Sequence, residues 1–189
     1  MNQTLLASLH TALQPTMNDR SYILLVDDEP YNRELLRGPL EAQGHEVVDA
    51  ASGEEALRLV SKRAPDVIVL DVMMPDLDGY SVCRMLKDDP ATASIPVLMV
   101  TALSDRKERL MGIGAGANDF LTKPIDVVDT LLRVGNAAYT RRLFLQLKRE
   151  QERSNLLLQC ILSAPEVARM FNGETAIADA SPEPRPEIR

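Results

Sequence analysis

The chain has 189 residues, of which 45% are apolar, 26% charged and only 4% aromatic; this fits one aliphatic core of about 120 to 150 residues with appendages and excludes wholesale disorder. A formal net charge of -7, with basic residues interspersed among acids, argues against nucleic acid bound over the whole surface, and no direct nucleic-acid partner is expected. Cys83 and Cys160 lie far apart in helical patterns, which excludes a disulfide framework or a cysteine metal cluster.

In chain order, residues 1–20 form an extension in which Leu5, Leu6, Leu9, Ala12 and Leu13 fall at helical spacing before Pro15. A short amphipathic helix followed by a linker is expected there. From residue 21 to 138, short apolar runs alternate with longer amphipathic stretches, the pattern of a parallel sheet covered by helices. The runs are Tyr22–Val26, Glu46–Ala50, Val67–Leu70, Val97–Val100 and Phe120–Leu121. Helices are expected near 31–43, 53–63, 79–88, 105–114 and from 126 onward, with Ser52 and Glu55 spaced as a capping box. Gly38-Pro39 interrupts the first of them and predicts a kink or early end, because proline lacks the N–H that a helix uses.

Residues 139–178 read as a long helix and linker, with Leu143, Leu147, Leu157 and Ile161 suited to a coiled-coil seam and a homodimer, although Lys148 to Asn155 is all polar. Residues 179–189 combine proline with charge and have nothing to bury, so disorder is expected. No apolar run approaches the roughly 18 residues of a membrane span, and no basic leader precedes one. A cytoplasmic location and no membrane partner follow as expectations.

The polar residues of interest follow the apolar runs: Asp27 and Asp28 the first, Asp71 the third, Thr101 the fourth and Lys123 the fifth. In an open parallel sheet such positions share one edge, where ligands bind. Clustered carboxylates repel unless a cation is present, and hard oxygen ligands with room for water suit Mg²⁺. Lys123 can pair with a carboxylate at rest and with a phosphoryl oxygen after transfer, while Thr101 can donate a hydrogen bond. Asp71 is the best-placed nucleophile, since phosphoryl transfer asks chiefly for an aligned acceptor oxygen and compensated charge.

Four stretches carry a family resemblance: Asp27-Asp28-Glu29-Pro30, Asp71-Val72-Met73-Met74-Pro75-Asp76-Leu77-Asp78-Gly79, Val100-Thr101-Ala102 and Gly116-Ala117-Asn118-Asp119-Phe120-Leu121-Thr122-Lys123-Pro124. In order and spacing they resemble the receiver domains of two-component response regulators over roughly residues 21–138. The resemblance implies a flavodoxin-like (βα)5 fold with strand order 2-1-3-4-5, and Asp71 as phosphoacceptor. It implies Mg²⁺ held by Asp28, Asp71 and the Met73 carbonyl, with Asp27 acting through water. It also implies a cis bond before Pro124, and Phe120 as an aromatic switch that moves inward as Thr101 turns toward the phosphoryl group. A sensor histidine kinase or phosphotransfer protein would be the donor, and the chain would be a regulatory phosphoacceptor rather than an enzyme. Residues 156–179 look similar to the linker before class III nucleotide-cyclase domains, without the catalytic strand that follows in those proteins.

Other readings stand beside these. Asp27 and Asp28 alone would suit a helix start, and Asp76 and Asp78-Gly79 are turn residues to which no chemistry is assigned. His10 and His45 are expected at the surface, and Met73, Met74, Met85, Met99 and Met111 in packing roles. The competing functions are a Mg²⁺-dependent phosphohydrolase working through aspartyl phosphate, and a scaffold that ignores phosphorylation.

Overall fold

In the computed structural model, which describes residues 20–102 and 106–161, each apolar run becomes a strand and each amphipathic stretch a helix. The elements follow one another as β1 (Tyr22–Val26), α1 (Pro30–Ala42), β2 (Glu46–Ala50), α2 (Gly53–Lys62), β3 (Val67–Asp71), α3 (Gly79–Asp88), β4 (Val97–Thr101), α4 (Arg106–Gly114), β5 (Asp119–Thr122) and α5 (Val127–Ile161). The strands make one parallel sheet in the order β2-β1-β3-β4-β5, the flavodoxin-like order. The expected N-terminal helix, the tail, most of the cyclase-like segment and the Cys160 side chain lie outside the described residues.

Successive residues of a strand face opposite sides of the sheet, so each strand feeds two cores. Leu24, Val26, Ile68, Leu70, Val97 and Met99 pack on one side with Ala56, Val82 and Leu86. Ile23, Leu25, Val67, Val69, Leu98 and Val100 pack on the other with Leu36, Leu40, Val134 and Ala138. Burial of each such side chain stabilises by about 1.5–3 kcal/mol before the entropy of ordering is counted. That is why near-continuous apolar runs form the strands of this sheet.

The helix starts are set locally. Ser52 Oγ accepts from Glu55 N–H at 3.2 Å, and the Glu55 carboxylate accepts from Ala51 N–H at 2.8 Å, one residue earlier than in the reciprocal box. Asp78 caps α3, its Oδ1 accepting from Ser81 N–H at 2.7 Å. Helix α1 starts at Pro30, where a missing N–H costs nothing. Of the kink or early end that Gly38-Pro39 predicts, the early end does not occur: the helix continues through Pro39 to Ala42. Leu36 and Leu40 flank the proline and are buried against the sheet, so tertiary packing outweighs the lost hydrogen bond. Gly44 follows the helix with φ +87°, a conformation in which a side chain is strained.

Some surface and packing assignments change. His45 is half-buried rather than exposed; its Nδ1 accepts from Ser21 N–H, and burial pulls its pKa down against the opposing pull of Asp66. Met74 and Met99 are core residues, but Met73, Met85 and Met111 are exposed.

The chain divides into two compact units after Phe144. The first holds the sheet. The described part of the second, Leu145 to Ile161, is helical and carries exposed Leu147, Leu156, Leu157 and Leu158. No helix among the described residues is long and apolar enough to cross a membrane.

Candidate functional site

Parallel register determines which residues meet. Val26 pairs with Ala50 and Leu70, Asp71 with Val100, and Thr101 with Thr122, so the last residues of β3 and β4 stand side by side at the carboxyl edge. The chain just beyond stays tied to that edge: Asp27 N–H donates to Ala50 C=O, Val72 N–H to Val100 C=O, and Lys123 N–H to Thr101 C=O at 2.8 Å. Five side chains distant in sequence therefore hang from a common frame of backbone hydrogen bonds.

Asp71 is 1% exposed, and one carboxylate oxygen, Oδ1, lies 2.9 Å from Lys123 Nζ. Lys123 also approaches Asp27 Oδ2 at 3.9 Å. Oxygens of Asp27, Asp28 and Asp71 lie within 4.8 Å of one another. Burial pushes the Asp71 pKa up; Lys123 opposes this, and the charges of Asp27 and Asp28 add to it. For Lys123, burial pulls down, but Asp71, Asp27 and Glu29 together hold its pKa above the ordinary lysine value.

Asp27 is held by its neighbours. Its Oδ1 accepts from Glu29 N–H at 2.8 Å, both carboxylate oxygens accept from Asn32 Nδ2, and its carbonyl accepts from Arg33. The α1 cap position belongs to Glu29, whose side chain makes no capping bond, so neither Asp27 nor Asp28 is the cap. Asp27 spends much of its accepting capacity on protein donors, whereas Asp71 accepts no protein hydrogen bond among the described residues beyond its ion pair with Lys123. Asp28 sits on the more open side of the cluster. This donor set, all carboxylate oxygen and poor in satisfying hydrogen bonds at Asp71, fits a hard divalent cation.

Thr101 is buried at 3% exposure. Phe120, on β5 three residues before Lys123, is half-buried and packs against the core that contains Met99 and Ala115. The peptide bond between Lys123 and Pro124 is cis.

Two glycines matter for close contacts that the sequence pattern does not show, one of them Gly79, read from the sequence only as a turn residue. A Cβ on Gly79 would lie 2.2 Å from the Asp71 carbonyl oxygen and 2.9 Å from Val72 Cα; its N–H donates to Val72 C=O at 3.0 Å. The start of α3 is thus pressed against the backbone of the central acid. A Cβ on Gly112 in α4 would lie 2.4 Å from Phe120 Cε1 and 3.1 Å from Met99 Sδ. The half-buried ring position depends on that missing methyl. We expect Gly112→Ala to turn the Phe120 ring outward and to cost about 1–2 kcal/mol of stability. Fluorine NMR of fluorophenylalanine-labelled protein reads it as a move of the Phe120 line toward the solvent-exposed value; an unmoved line would contradict it.

A family model of the response regulator receiver domain matches residues 23–134, more than half of the chain. The chain belongs to the response regulator receiver family. This receiver is 44% identical over 158 residues to the response regulator PleD of Caulobacter vibrioides, covering 83% of the chain and 34% of that protein. It is 44% identical over 112 residues to the DNA-binding dual master transcriptional regulator RpaA of Synechocystis, covering 59% of the chain and 46% of the relative. The chain thus spans between a third and a half of these relatives' lengths. Among solved structures, the receiver domain of the Francisella response regulator 1452 superposes with a TM-score of 0.59 at 32% identity, covering 65% of this chain and 99% of that one. Receiver domains bind Mg²⁺ through an acidic cluster of the kind formed here by Asp27, Asp28 and Asp71.

Proposed function

We propose that Asp71 is the phosphoacceptor of a two-component switch and that a sensor histidine kinase or phosphotransfer protein supplies the phosphoryl group. The observation that carries this reading is the Asp71 carboxylate: buried, 2.9 Å from Lys123, and without any other partner for its oxygens among the described residues. A buried carboxylate its own protein leaves unsatisfied is high in energy, and a cation or a phosphoryl group relieves it.

In the transfer, an Asp71 oxygen forms the bond to phosphorus while the donor's N–P bond breaks and its electron pair returns to the imidazole nitrogen. Lys123 follows the charge from the carboxylate to a phosphoryl oxygen, and the Thr101 hydroxyl donates to another. Asp28 and Asp71 would hold Mg²⁺ directly, with the Met73 carbonyl as a third protein ligand and Asp27 acting through water. When bound, the ion compensates charge on the phosphoryl oxygens.

The added charge can bias the fold only through a difference between two conformations. Phe120 on β5, three residues before Lys123, moves inward with Thr101, and α5 carries the change onward. In this reading residues 21–138 are the switch, 139–178 a signalling helix and linker, and 179–189 a tail. Exposed Leu143, Leu147 and Leu157 support pairing of two chains along the helix, so that phosphorylation alters register or angle in a homodimer. The output is a domain such as a nucleotide cyclase joined through the 156–179 segment, and the setting is cytoplasmic.

Labelling with acetyl phosphate and Mg²⁺ tests the core of this. Intact-mass measurement is expected to show one phosphoryl group on the wild type and none on Asp71→Asn. Steady phosphate release from many monoesters would instead mark a hydrolase, and an unlabelled wild type a scaffold; either result sinks the proposal.

A further inference from the structure

At the opposite edge of the sheet, where β4 and β5 begin, a groove of about 670 Å³ opens between these strand starts, residues 93–96 and α5. Its apolar wall includes Pro96, Leu98, Leu132 and Phe144. Arg141 also lines it, although this arginine is only 7% exposed. Arg141 Nη1 donates to Ser94 Oγ at 2.6 Å, the Phe144 ring lies 5.9 Å from the guanidinium carbon, and Nε has no hydrogen-bond partner.

The guanidinium has no counter-ion among the described residues. The two carboxylates that line the same groove, Asp119 and Asp129, are both taken by Arg133, at 2.7 and 2.8 Å. Asp66 acts on Arg141 only through space, and one of its oxygens is engaged by Tyr22 N–H. Lys87 adds a second positive charge on this side, its Nζ donating to the carbonyls of Ala93 and Ile95 and to Asn118 Oδ1. Arginine does not deprotonate to escape burial, and a buried charge without its opposite is costly. A groove of this size, with an apolar wall and with Arg141 the one charge on its lining that is not paired there, has the dimensions of a small-molecule site, commonly about 300–1000 Å³.

We infer that this groove binds a small organic carboxylate, the carboxylate group against Arg141 and the apolar body along Leu98, Leu132 and Phe144. The inference is independent of the chemistry at Asp71.

The test uses the full chain and benzoate as probe, with benzamide as its uncharged isostere and inorganic phosphate as a bare anion. Benzoate should bind saturably in the millimolar range and shift the amide resonances of Ser94, Asn118 and Thr140, while benzamide and phosphate should not. Arg141→Gln should weaken benzoate about tenfold or more. Should that variant fail to fold, Thr140→Phe, an exposed α5 position on the groove, fills it with Arg141 intact and should abolish binding as well. Benzoate binding that survives either substitution, or phosphate binding as tightly, overturns the inference. So does a dimer formed without benzoate that Arg141→Gln dissolves, since a second copy would then be the occupant.

Discussion

Gly79→Ala is expected to lower the stability of the protein by about 3 kcal/mol or more, a drop in Tm of roughly 6–12 °C. The methyl would sit 2.2 Å from the Asp71 carbonyl oxygen and 2.9 Å from Val72 Cα, both backbone atoms, so no rotamer change can absorb it. Either α3 moves away, giving up the bond from Gly79 N–H to Val72 C=O, or the end of β3 shifts and takes the Asp71 carboxylate with it. Thermal melts and acetyl phosphate labelling of the same variant distinguish it from an ordinary core defect: both should fall together. A melt within 2 °C of wild type, roughly the effect of half a kcal/mol, would refute the argument.

Asp71→Asn should do the opposite to stability in the absence of divalent cations, raising it at pH 7 by on the order of 1–3 kcal/mol, the cost of an unsatisfied buried group. The competing loss is the ion pair with Lys123, but that side chain is 31% exposed and can turn to water, whereas Asp71 cannot. Burial raises the folded-state pKa of Asp71 above its unfolded value. Its favourable contribution is therefore fully present below the unfolded pKa, near 3.9, and is lost as pH rises through the folded one. The gap between variant and wild type should narrow as pH falls from 7 toward 4. Saturating Mg²⁺ should reverse the order, because a ligand that binds only the folded wild type at 100 times its Kd adds about 2.7 kcal/mol. Melts with EDTA and with Mg²⁺ across this pH range check both signs; an Asn variant less stable than wild type in EDTA at pH 7 would falsify the idea.

Much of this was legible because aliphatic runs and amphipathic stretches report directly on burial. All five strands lie where apolar runs predict them, and the missed residues are polar ones at their ends: Asp71, Thr101, Asp119 and Thr122. Backbone pairing, as between Thr101 and Thr122, does not require an apolar side chain, so the pattern ends before the ladder does. The convergence of Asp27, Asp28, Asp71 and Lys123 was legible because a parallel sheet puts every strand end on the same rim. The early end that Pro39 suggests does not occur, because local propensity carries no information on the burial of Leu36 and Leu40. Gly79, Gly112 and Arg141 were hidden for another reason: their roles depend on which atoms approach them from distant parts of the chain, and no local pattern encodes that.

Asp71 and Thr101 close their strands rather than standing on flexible connections, with interstrand pairing at both positions. Heat or denaturant therefore has no cheap way to loosen this corner alone: dismantling it means unzipping the middle of the sheet. Amide protons around the acid should exchange with deuterated solvent only through whole-domain opening.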